Sequence, residues 1–536
     1  MRNILVAFLA VGWLAVQGAA DADLIIHNAR VFTGDAARPW AEAIAVKGDR
    51  IVEVVTADQA RGRAWKAARV VDAGGRLLIP GINDAHAHVV AAPPMTRLEG
   101  PSAIEGDPTL DDVIERLKAA VAKAPAGGWI TGEIGGTVIN DPRATRALFD
   151  PLTGGRPLVL TTWTGHGTIV NTAAMRLLDI PVDAKDPDGG FYGRTSGGAL
   201  TGLAHEYADY ALRLRLSALA DPAAHRAAFE AHEREALSFG ITSSQLMMTG
   251  SSAEEANRAL ARTAIRLRLI DFPFGSLTAW RPRARPAPAS PLVTISGTKW
   301  ILDGTPIERL MLLREPYADA PSATGRLNFP EADLQAFLRT ALVAREQPMF
   351  HAVGDGAIKI VLDALEVTGG DGWKPLRPRL EHGDMFQPAD QERAARMGVI
   401  VVQNPSHFMI PQHMTPRLGP ERTRRTTAVR GIVEAGVPFA LGSDGPMNPF
   451  LNIMFAAINA NNPSQTLTIE QSLKAYTAGS AFAELAETTK GMIRPGMLAD
   501  VALLSQDIFR VPPPELPKTI SVLTVVNGRI VLEKLR

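Results

Sequence analysis

The sequence predicts an α/β fold: a TIM-like (β/α)₈ barrel with an insertion after the first strand, plus a small β-sandwich built from both chain ends. Three observations favour this fold. The 536 residues, of which 46% are hydrophobic, are sufficient for a barrel of about 250 residues and accessory modules. The middle of the chain alternates short apolar runs with amphipathic helical patterns, which is typical of repeated βα units. Both ends of the chain are rich in strand patterns.

The first residues predict export. Arg2 precedes an apolar run from Ile4 to Val16, and small residues follow as far as Ala22. This is the outline of a secretory signal peptide over residues 1–22, and a retained N-terminal anchor is the alternative. The run is shorter than the roughly 20 apolar residues that a membrane span needs, and no comparable run follows. We therefore expect a periplasmic or secreted protein without stable membrane insertion after processing.

Both chain ends predict parts of one β-sandwich, from residues 23–76 and 489–536. Four segments alternate apolar and polar residues as half-buried strands do: Asp23–Phe32, Ala41–Val55, Asp500–Leu504 and Ser521–Leu532. Gly48–Asp49 and Asn527–Gly528, within these segments, are typical of two-residue hairpin turns. The prolines around Val511–Pro514 predict a stiff connector, because proline resists both helix and ladder pairing.

Residues 77–488 predict the barrel and its insertion. Eight apolar runs are candidate barrel strands: Leu77–Ile82, Ile241–Met247, Arg266–Phe272, Thr298–Leu302, Met349–Ala352, Arg379–Glu381, Val399–Gln403 and Pro438–Gly442. About 150 residues separate the first two runs, where one helix would suffice. Residues 89–235 therefore predict an insertion over the barrel mouth, between strand 1 (77–88) and the rest of the barrel (236–488). Inside the insertion we expect a helix at Asp111–Ala124, a strand at Arg156–Thr162 and a Gly-rich polar loop at Asp186–Gly198.

Composition limits the classes of partner. Lys+Arg and Asp+Glu each number 56, so there is no basic excess that would indicate nucleic acid and no acidic excess that would indicate a solvating tail. We expect a small-molecule substrate, and the residues leave a homo-oligomer open. The chain has no cysteine, which excludes disulfides and cysteine-ligated zinc. Any metal must be held by His, Asp, Glu or a modified Lys.

A His-x-His pair follows the first candidate barrel strand. His86 and His88 are two residues apart on an extended segment, so their side chains point to the same side and both can reach one metal. Such a pair in isolation is as often structural as metal-binding. Its place at the catalytic end of a predicted barrel strand favours the metal site.

The other histidines divide by their position. His351 and His382 also follow apolar strands, which favours a metal-binding role for both. His166 and His407 lie in loops that can face a pocket, and an ordinary loop role is equally compatible with them. Four further histidines lie in a strand-rich end or on charged helical stretches and are expected to be structural: His27, His205, His225 and His232.

Asp444 and Lys299 complete the candidate set. Asp444 ends the last predicted strand, where a carboxylate can ligate metal and exchange a proton with bound water; a capping aspartate is the alternative. Lys299 lies among apolar residues. A neutral, desolvated lysine can be nucleophilic, and its carbamate would offer two oxygens to two metals. The residues alone favour a different interpretation, a lysine that extends its charged end into solvent.

Taken together, the ordered motifs resemble those of the amidohydrolase superfamily, in the amidohydrolase family 3 branch related to N-substituted formamide deformylase. The resemblance covers nearly the whole mature chain. It rests on these segments: Gly81-x-x-Asp84-x-His86-x-His88, Gly165-His166 with Asn171, Lys299 with Asp303-Gly304, His351-Ala352-x-Gly354-Asp355, Glu381-His382, Gln403-x-Pro405, Gly442-Ser443-Asp444 and Gly491-x-Ile493-x-Pro495-Gly496-x-x-Ala499-Asp500. Gly356 departs from the family, where a larger, often basic residue is common at this position, so the pocket near His351 is open to variation.

The resemblance implies a barrel beside a β-sandwich and one or two divalent metal ions per chain, with zinc expected. The implied ligand set places two histidines on each metal, a bridging carboxylated lysine and an aspartate completing the first site: His86 and His88, His351 and His382, Lys299, and Asp444. This reverses the interpretation of Lys299 that the residues alone favour. For the other members of the set, it agrees with the position of each residue in the sequence.

The resulting expectation is an exported metal-dependent amidohydrolase that cleaves a non-peptide C–N bond of a small molecule. Asp444 would take a proton from the attacking water and deliver it to the leaving nitrogen, and His166 would hydrogen-bond the oxyanion. A deaminase, lactonase or carbamate hydrolase on the same scaffold is the alternative. A non-catalytic binding protein is a remote one, because the ligand set is complete. Trp163, Phe408 and Met409 are compatible with an apolar acyl or aryl group in the substrate and equally with buried core.

Overall fold

The central part of the chain forms an eight-stranded parallel barrel. A computed structural model describes residues 22–61, 64 and 66–535. The barrel strands, in sheet order and in chain order, are Ile82–Ala87, Ile241–Met247, Arg266–Asp271, Val293–Ile301, Pro348–Ala352, Arg379–His382, Ile400–Gln403 and Phe439–Leu441. The last strand returns to the first, where the Asp444 N–H donates to the His86 carbonyl at 2.7 Å. The TIM-like fold class is confirmed.

The first barrel strand differs from its predicted position. Leu77–Pro80 belongs to the β-sandwich, and the barrel strand is Ile82–Ala87. The segment 77–88, predicted as one barrel strand, thus contains two successive strands of different sheets. The switch occurs at Gly81, whose N–H donates to the Asp500 carbonyl; a β-carbon there would lie 2.1 Å from Thr242 Oγ1. Periodicity could not locate this switch, because both strands are fully buried.

The two chain ends build one β module, as the sequence predicts. A six-stranded sheet combines them: Arg30–Phe32, Trp40–Ala41, Leu77–Pro80, Val501–Leu504, Ser521–Val526 and Arg529–Glu533. A four-stranded sheet uses the N-terminal end alone: Ala22–His27, Ala43–Lys47, Arg50–Val55 and Ala67–Asp72. Both predicted hairpin turns are present, with positive φ at Gly48, Asn527 and Gly528. The stiff connector predicted around Val511–Pro514 is partly helical. A 3₁₀ helix, Pro513–Lys518, begins within it, and three of the six residues of this helix are proline.

The predicted insertion carries a second sheet that covers the barrel mouth. Its six strands are Met95–Arg97, Trp129–Ile134, Leu158–Thr162, Gly167–Val170, Gly190–Arg194 and Leu200–Glu206. The expected helix is Leu110–Lys123, which begins at a Thr109 capping box and buries Val113 and Leu117. The Gly-rich segment is not only a loop, because the strand Gly190–Arg194 lies within it. Backbone pairing with Leu200–Glu206 overrides its polar composition.

Helices surround the barrel and the inserted sheet. The longer α-helices are Leu110–Lys123, Thr172–Leu177, Tyr207–Ala218, Pro222–Ser238, Ala253–Ala259, Glu331–Ala344, Asp355–Thr368, Pro388–Met397, Pro411–Thr423, Val429–Glu434, Pro449–Ile458 and Ile469–Lys474. Short helical turns lie at Ala57–Ala60, Ala103–Gly106, Gly136–Ile139, Arg146–Phe149, Asp150–Leu152, Leu277–Ala279, Gly370–Trp373, Pro405–Phe408, Pro463–Gln465, Ala475–Gly479 and Ser480–Ala483. The predicted end of the insertion at residue 235 falls inside Pro222–Ser238, which packs on the second barrel strand.

The predicted signal peptide lies outside the described residues except for its last residue, Ala22. Among the residues that are described, no helix combines the length and the apolar character needed to cross a membrane.

Candidate active site

A cavity of about 350 Å³ lies at the carboxyl ends of the barrel strands. The barrel contributes one wall, which carries six of the predicted site residues: His86, His88, Lys299, His351, His382 and Asp444. The inserted sheet contributes the opposite wall, which includes Thr131, Glu133 and Thr161. The structure therefore brings together residues from five barrel strands or the loops that follow them. The carboxyl-terminal face is where TIM barrels carry their catalytic groups.

His86 is oriented by a buried carboxylate. Its Nδ1 lies 2.6 Å from Glu381 Oε2, and both side chains are buried. Burial lowers the pKa of His86 to about 4, so the ring is neutral at pH 7. With the Nδ1 proton donated to Glu381, Nε2 presents a lone pair to the cavity. The His88 Nε2 atom lies 3.3 Å away, so the two imidazoles converge on one point.

Glu381 is itself held by Arg379. The Arg379 Nε donates to Glu381 Oε1 at 2.7 Å, and neither side chain is exposed. Burial would raise the pKa of Glu381, but the positive charge of Arg379 outweighs burial and holds that pKa well below its usual range. The carboxylate is therefore ionised and anchors the His86 ring. Sequence reasoning included Glu381 in a motif but gave it no role, because the contact joins residues 295 positions apart.

Asp444 lies against both histidines of the His-x-His pair. Its Oδ1 is 3.2 Å from His88 Nε2 and 3.9 Å from His86 Nε2. The close approach of the last and first strands depends on Gly442, where a β-carbon would lie 2.5 Å from the His86 backbone nitrogen. Burial would raise the pKa of Asp444, but the nearby His86 and His407 rings outweigh it and lower that pKa well below its ordinary value. Asp444 is therefore ionised at neutral pH.

His351 and His382 extend the cluster along the barrel rim. The ring centroid of His382 lies 5.0 Å from that of His86 and 4.6 Å from that of His351. Burial lowers the pKa of both His351 and His382 well below the ordinary value, so both rings are neutral. The Nδ1 atom of His382 is buried and has no hydrogen-bond partner in the described part of the protein.

These groups fit a divalent metal. Donor atoms of His86, His382 and Asp444 all lie within 4.8 Å of one another. Neutral imidazole nitrogens with a carboxylate oxygen are a donor set that zinc prefers. A buried imidazole nitrogen without a partner, as in His382, is costly unless something binds it.

Lys299 lies inside the barrel and does not extend into solvent. Only 1% of its surface is exposed, and it lines the cavity with the histidines. Burial lowers its pKa to about 8, although the charges of Glu381 and Asp444 oppose this shift. The solvent-directed interpretation is thus wrong, because alternation along Val293–Ile301 turns this residue inward.

His166 lies across the cavity on the inserted domain. Its Nδ1 is 3.1 Å from Glu206 Oε2, and its Nε2 is 3.3 Å from the Tyr210 hydroxyl. Its ring centroid lies 4.4 Å from that of His351. Burial would lower the pKa of His166, but the charge and hydrogen bond of Glu206 outweigh it and raise that pKa. Glu206 therefore stabilises the protonated form of His166, in which both ring nitrogens are donors.

Glu206 is fixed by its surroundings in an unusual backbone conformation. Its φ of 55° and ψ of −128° are rare for a residue with a side chain. Its Oε2 accepts from Asn328 Nδ2 at 3.0 Å, and a β-carbon on Gly304 would lie 2.3 Å from its Oε1. No motif in the sequence pointed to Glu206 or Tyr210, since neither follows a barrel strand.

The remaining predicted residues lie at different distances from this cluster. His407 is beside Asp444, with Nδ1 3.6 Å from Oδ2. Trp163 lines the cavity, whereas Phe408 and Met409 are buried in the core, which decides between the two interpretations of those side chains. The four histidines expected to be structural do not line the cavity: His27, His205, His225 and His232.

Comparison with known proteins identifies a matching family, similar relatives and a structure of the same fold. A family model described as "Amidohydrolase family" matches residues 69–532. The YtcJ protein of Bacillus subtilis is 28% identical, over 87% of this chain and 90% of the relative. N-substituted formamide deformylase of Arthrobacter pascens is 27% identical, over 96% of this chain and 98% of the relative. The crystal structure of an uncharacterized metal-dependent hydrolase from Pyrococcus horikoshii has the same fold, with a TM-score of 0.67 and 20% identity, over 92% of this chain and 99% of that structure.

Proposed function

This chain belongs to the amidohydrolase family, and we propose that it hydrolyses a non-peptide, amide-like C–N bond of a small molecule with bound divalent metal. The observation that carries the proposal is the convergence of neutral imidazoles and an ionised carboxylate at the cavity floor. The similarity to N-substituted formamide deformylase supports an amide as the bond cleaved.

We assign metal binding to the six barrel-wall residues, with zinc as the expected ion and one or two ions per chain: His86, His88, Lys299, His351, His382 and Asp444. The four histidines and two further donors exceed the needs of one tetrahedral zinc, which supports two ions. A buried lysine with a pKa of about 8 has a neutral amine fraction that can react with CO₂. Lys299 carboxylated in this way would present two oxygens to the metals.

The residues around the cluster supply the rest of the chemistry. When bound, the metal lowers the pKa of a coordinated water towards about 7 and polarises a carbonyl oxygen. Asp444 accepts the proton of the attacking water and returns it to the leaving nitrogen. His166 lines the cavity, with Nδ1 held by Glu206 and Nε2 3.3 Å from the Tyr210 hydroxyl, and it donates to the carbonyl oxygen as negative charge develops there. The inserted sheet forms the opposite wall of the cavity, facing these groups.

A substrate panel tests the proposal. The panel contains N-substituted formamides, N-acyl amines, N-acyl amino acids and cyclic amides, together with lactones, carbamates and amidine-like compounds, and the purified, metal-loaded protein should hydrolyse amides among them. Elemental analysis should approach two metals per chain. Turnover confined to lactones, carbamates or amidine-like compounds would replace amide hydrolysis with another reaction of the same scaffold. No turnover of any compound by the fully metal-loaded protein would contradict an enzymatic function.

We predict that Glu206→Gln lowers kcat by about 10-fold, in the range of a lost charge-assisted hydrogen bond, without loss of metal. Glu206 raises the pKa of His166, so its neutral replacement lets His166 lose its proton at lower pH. The high-pH limb of the kcat profile should therefore move to lower pH. An unchanged profile and kcat would remove the proposed role of His166.

We propose that the protein is exported, on the basis of the apolar run Ile4–Val16 and the small residues that follow it. In its native host, mature protein should begin near Asp21 or Asp23 and be released with the periplasmic contents. N-terminal sequencing measures this directly. Protein recovered from membranes with Met1 intact would indicate a retained anchor instead.

A further inference from the structure

An exposed arginine lies on the wall of the cavity opposite the metal-binding residues. Arg97 ends the edge strand Met95–Arg97 of the inserted sheet and lines the same cavity as His86 and Asp444. Its guanidinium has no hydrogen bond or ion pair to any residue in the described ranges. An arginine is always charged and carries five N–H donors, so Arg97 offers an unused anion-binding group inside the site.

The register of the inserted sheet independently directs Arg97 towards the cavity. In the neighbouring strand, Ile130, Gly132 and Ile134 are buried, and Thr131 and Glu133 face the opposite side. Thr131 and Glu133 both line the cavity. Arg97 is paired directly with Thr131, and paired residues of adjacent strands share a face. Arg97 is thus on the cavity face because of its register position, whichever rotamer it adopts.

The other charged groups of this wall are already engaged. Arg213 donates to the Gly165 carbonyl and lies 2.8 Å from Asp209. Glu133 accepts from Ser102 Oγ at 2.6 Å and from the Ala103 backbone N–H at 2.7 Å, and it forms no ion pair with Arg97. Arg97 is therefore free to pair with a ligand.

We propose that Arg97 binds a carboxylate of the substrate, so that preferred substrates are amides with an anionic group at the end remote from the scissile bond. This inference rests on the proposed amide hydrolysis and names the substrate class for it. Guanidinium and carboxylate match as a bidentate pair, which gives both orientation and affinity. The polarised carbonyl and the paired carboxylate then fix the substrate at two points across the cavity.

Two matched series of substrates test this inference with the metal-loaded, full-length enzyme. One series contains N-acyl ω-amino acids of increasing chain length, and the other contains the corresponding N-acyl ω-amino amides. At the best length, kcat/KM should be at least roughly 10-fold higher for the acid, as expected for a charge-assisted hydrogen bond. Added salt should reduce the rate on the acids more than on the amides, because Arg97 is exposed.

Variants of Arg97 identify the group responsible. Arg97→Gln should remove the preference for a terminal carboxylate and should change the rate on the substrates with a terminal amide less than about 3-fold. Arg97→Glu should make the substrates with a terminal amide the preferred ones. Arg176→Gln is the matched control, since Arg176 is also an exposed arginine of the inserted domain and does not line the cavity. It should leave both series unchanged.

Different outcomes contradict the two proposals. One contrary result is that the native enzyme cleaves the series with a terminal carboxylate and the series with a terminal amide at equal rates, and another is that a preference for the carboxylate series survives Arg97→Gln. Either result would overturn the carboxylate site but would leave the proposed amide hydrolysis intact. Failure of the metal-loaded enzyme to hydrolyse either series or any other amide would overturn the proposed function, and this inference with it.

Discussion

Replacement of Asp444 by asparagine should reduce kcat by at least roughly 10²-fold, the range attributed to a positioned acid–base group. Asparagine keeps the shape of the side chain and an oxygen donor, so most of the metal should remain bound. Its amide cannot accept the water proton at neutral pH. The expected combination is therefore near-normal metal content with a large loss of turnover, measured by elemental analysis and by steady-state kinetics on an amide substrate.

The control for this variant is Asp507→Asn. Asp507 also forms an ion pair, with Arg30 at 2.6 Å, but it lies in the β-sandwich and outside the cavity. It should retain the native kcat. If Asp444→Asn kept full metal and near-normal turnover, Asp444 would not be the proton carrier, and His166 would become the leading candidate.

Replacement of His86 by alanine should lower the metal content of the protein as well as its activity. Loss of a group that only orients a metal ligand costs about 10–100-fold in affinity, so loss of His86 itself should cost at least roughly 100-fold. The variant also leaves Glu381 buried without its imidazole partner, 2.6 Å away in the native protein. We expect a dialysed variant with less than half the native metal content and little activity, and excess zinc should restore part of both.

His225→Ala is the matched control for the His86 variant. His225 lies on the helix Pro222–Ser238, bonds the Ser217 carbonyl at 3.1 Å and does not line the cavity. It should keep native metal content and activity. A His86→Ala variant that keeps full metal after dialysis would exclude His86 as a ligand, provided that both variants unfold at similar temperatures.

The sequence predicted most barrel strands closely because each is an apolar run bounded by turns. Ile241–Met247 has the predicted bounds, and the others shift by a few residues. The first strand was misplaced because Leu77–Pro80 and Ile82–Ala87 are both buried, and burial on both faces removes the alternation that distinguishes one sheet from another. The switch depends on contacts of Gly81 with residues far along the chain.

Some residues of the candidate site could likewise be identified from the sequence, and others could not. His86, His88, His351, His382 and Asp444 were identifiable because the carboxyl ends of parallel strands meet at one face, so position along each strand is enough. The sequence by itself also determined which types of donor a metal could have, because a chain without cysteine offers only His, Asp, Glu or a modified Lys.

Only the tertiary structure decided which groups hold and face those residues. Glu381 orients His86 across 295 positions, Glu206 orients His166 across 40, and the register of the inserted sheet brings Arg97 to the opposite wall. It also decided that Lys299 is buried with a lowered pKa, where the local sequence favoured exposure. Hydrogen bonds and desolvation depend on atoms that folding brings together, whereas a strand pattern depends on neighbours in the chain. For this reason the sequence predicts the residues at the barrel strand ends and not the partners that orient them.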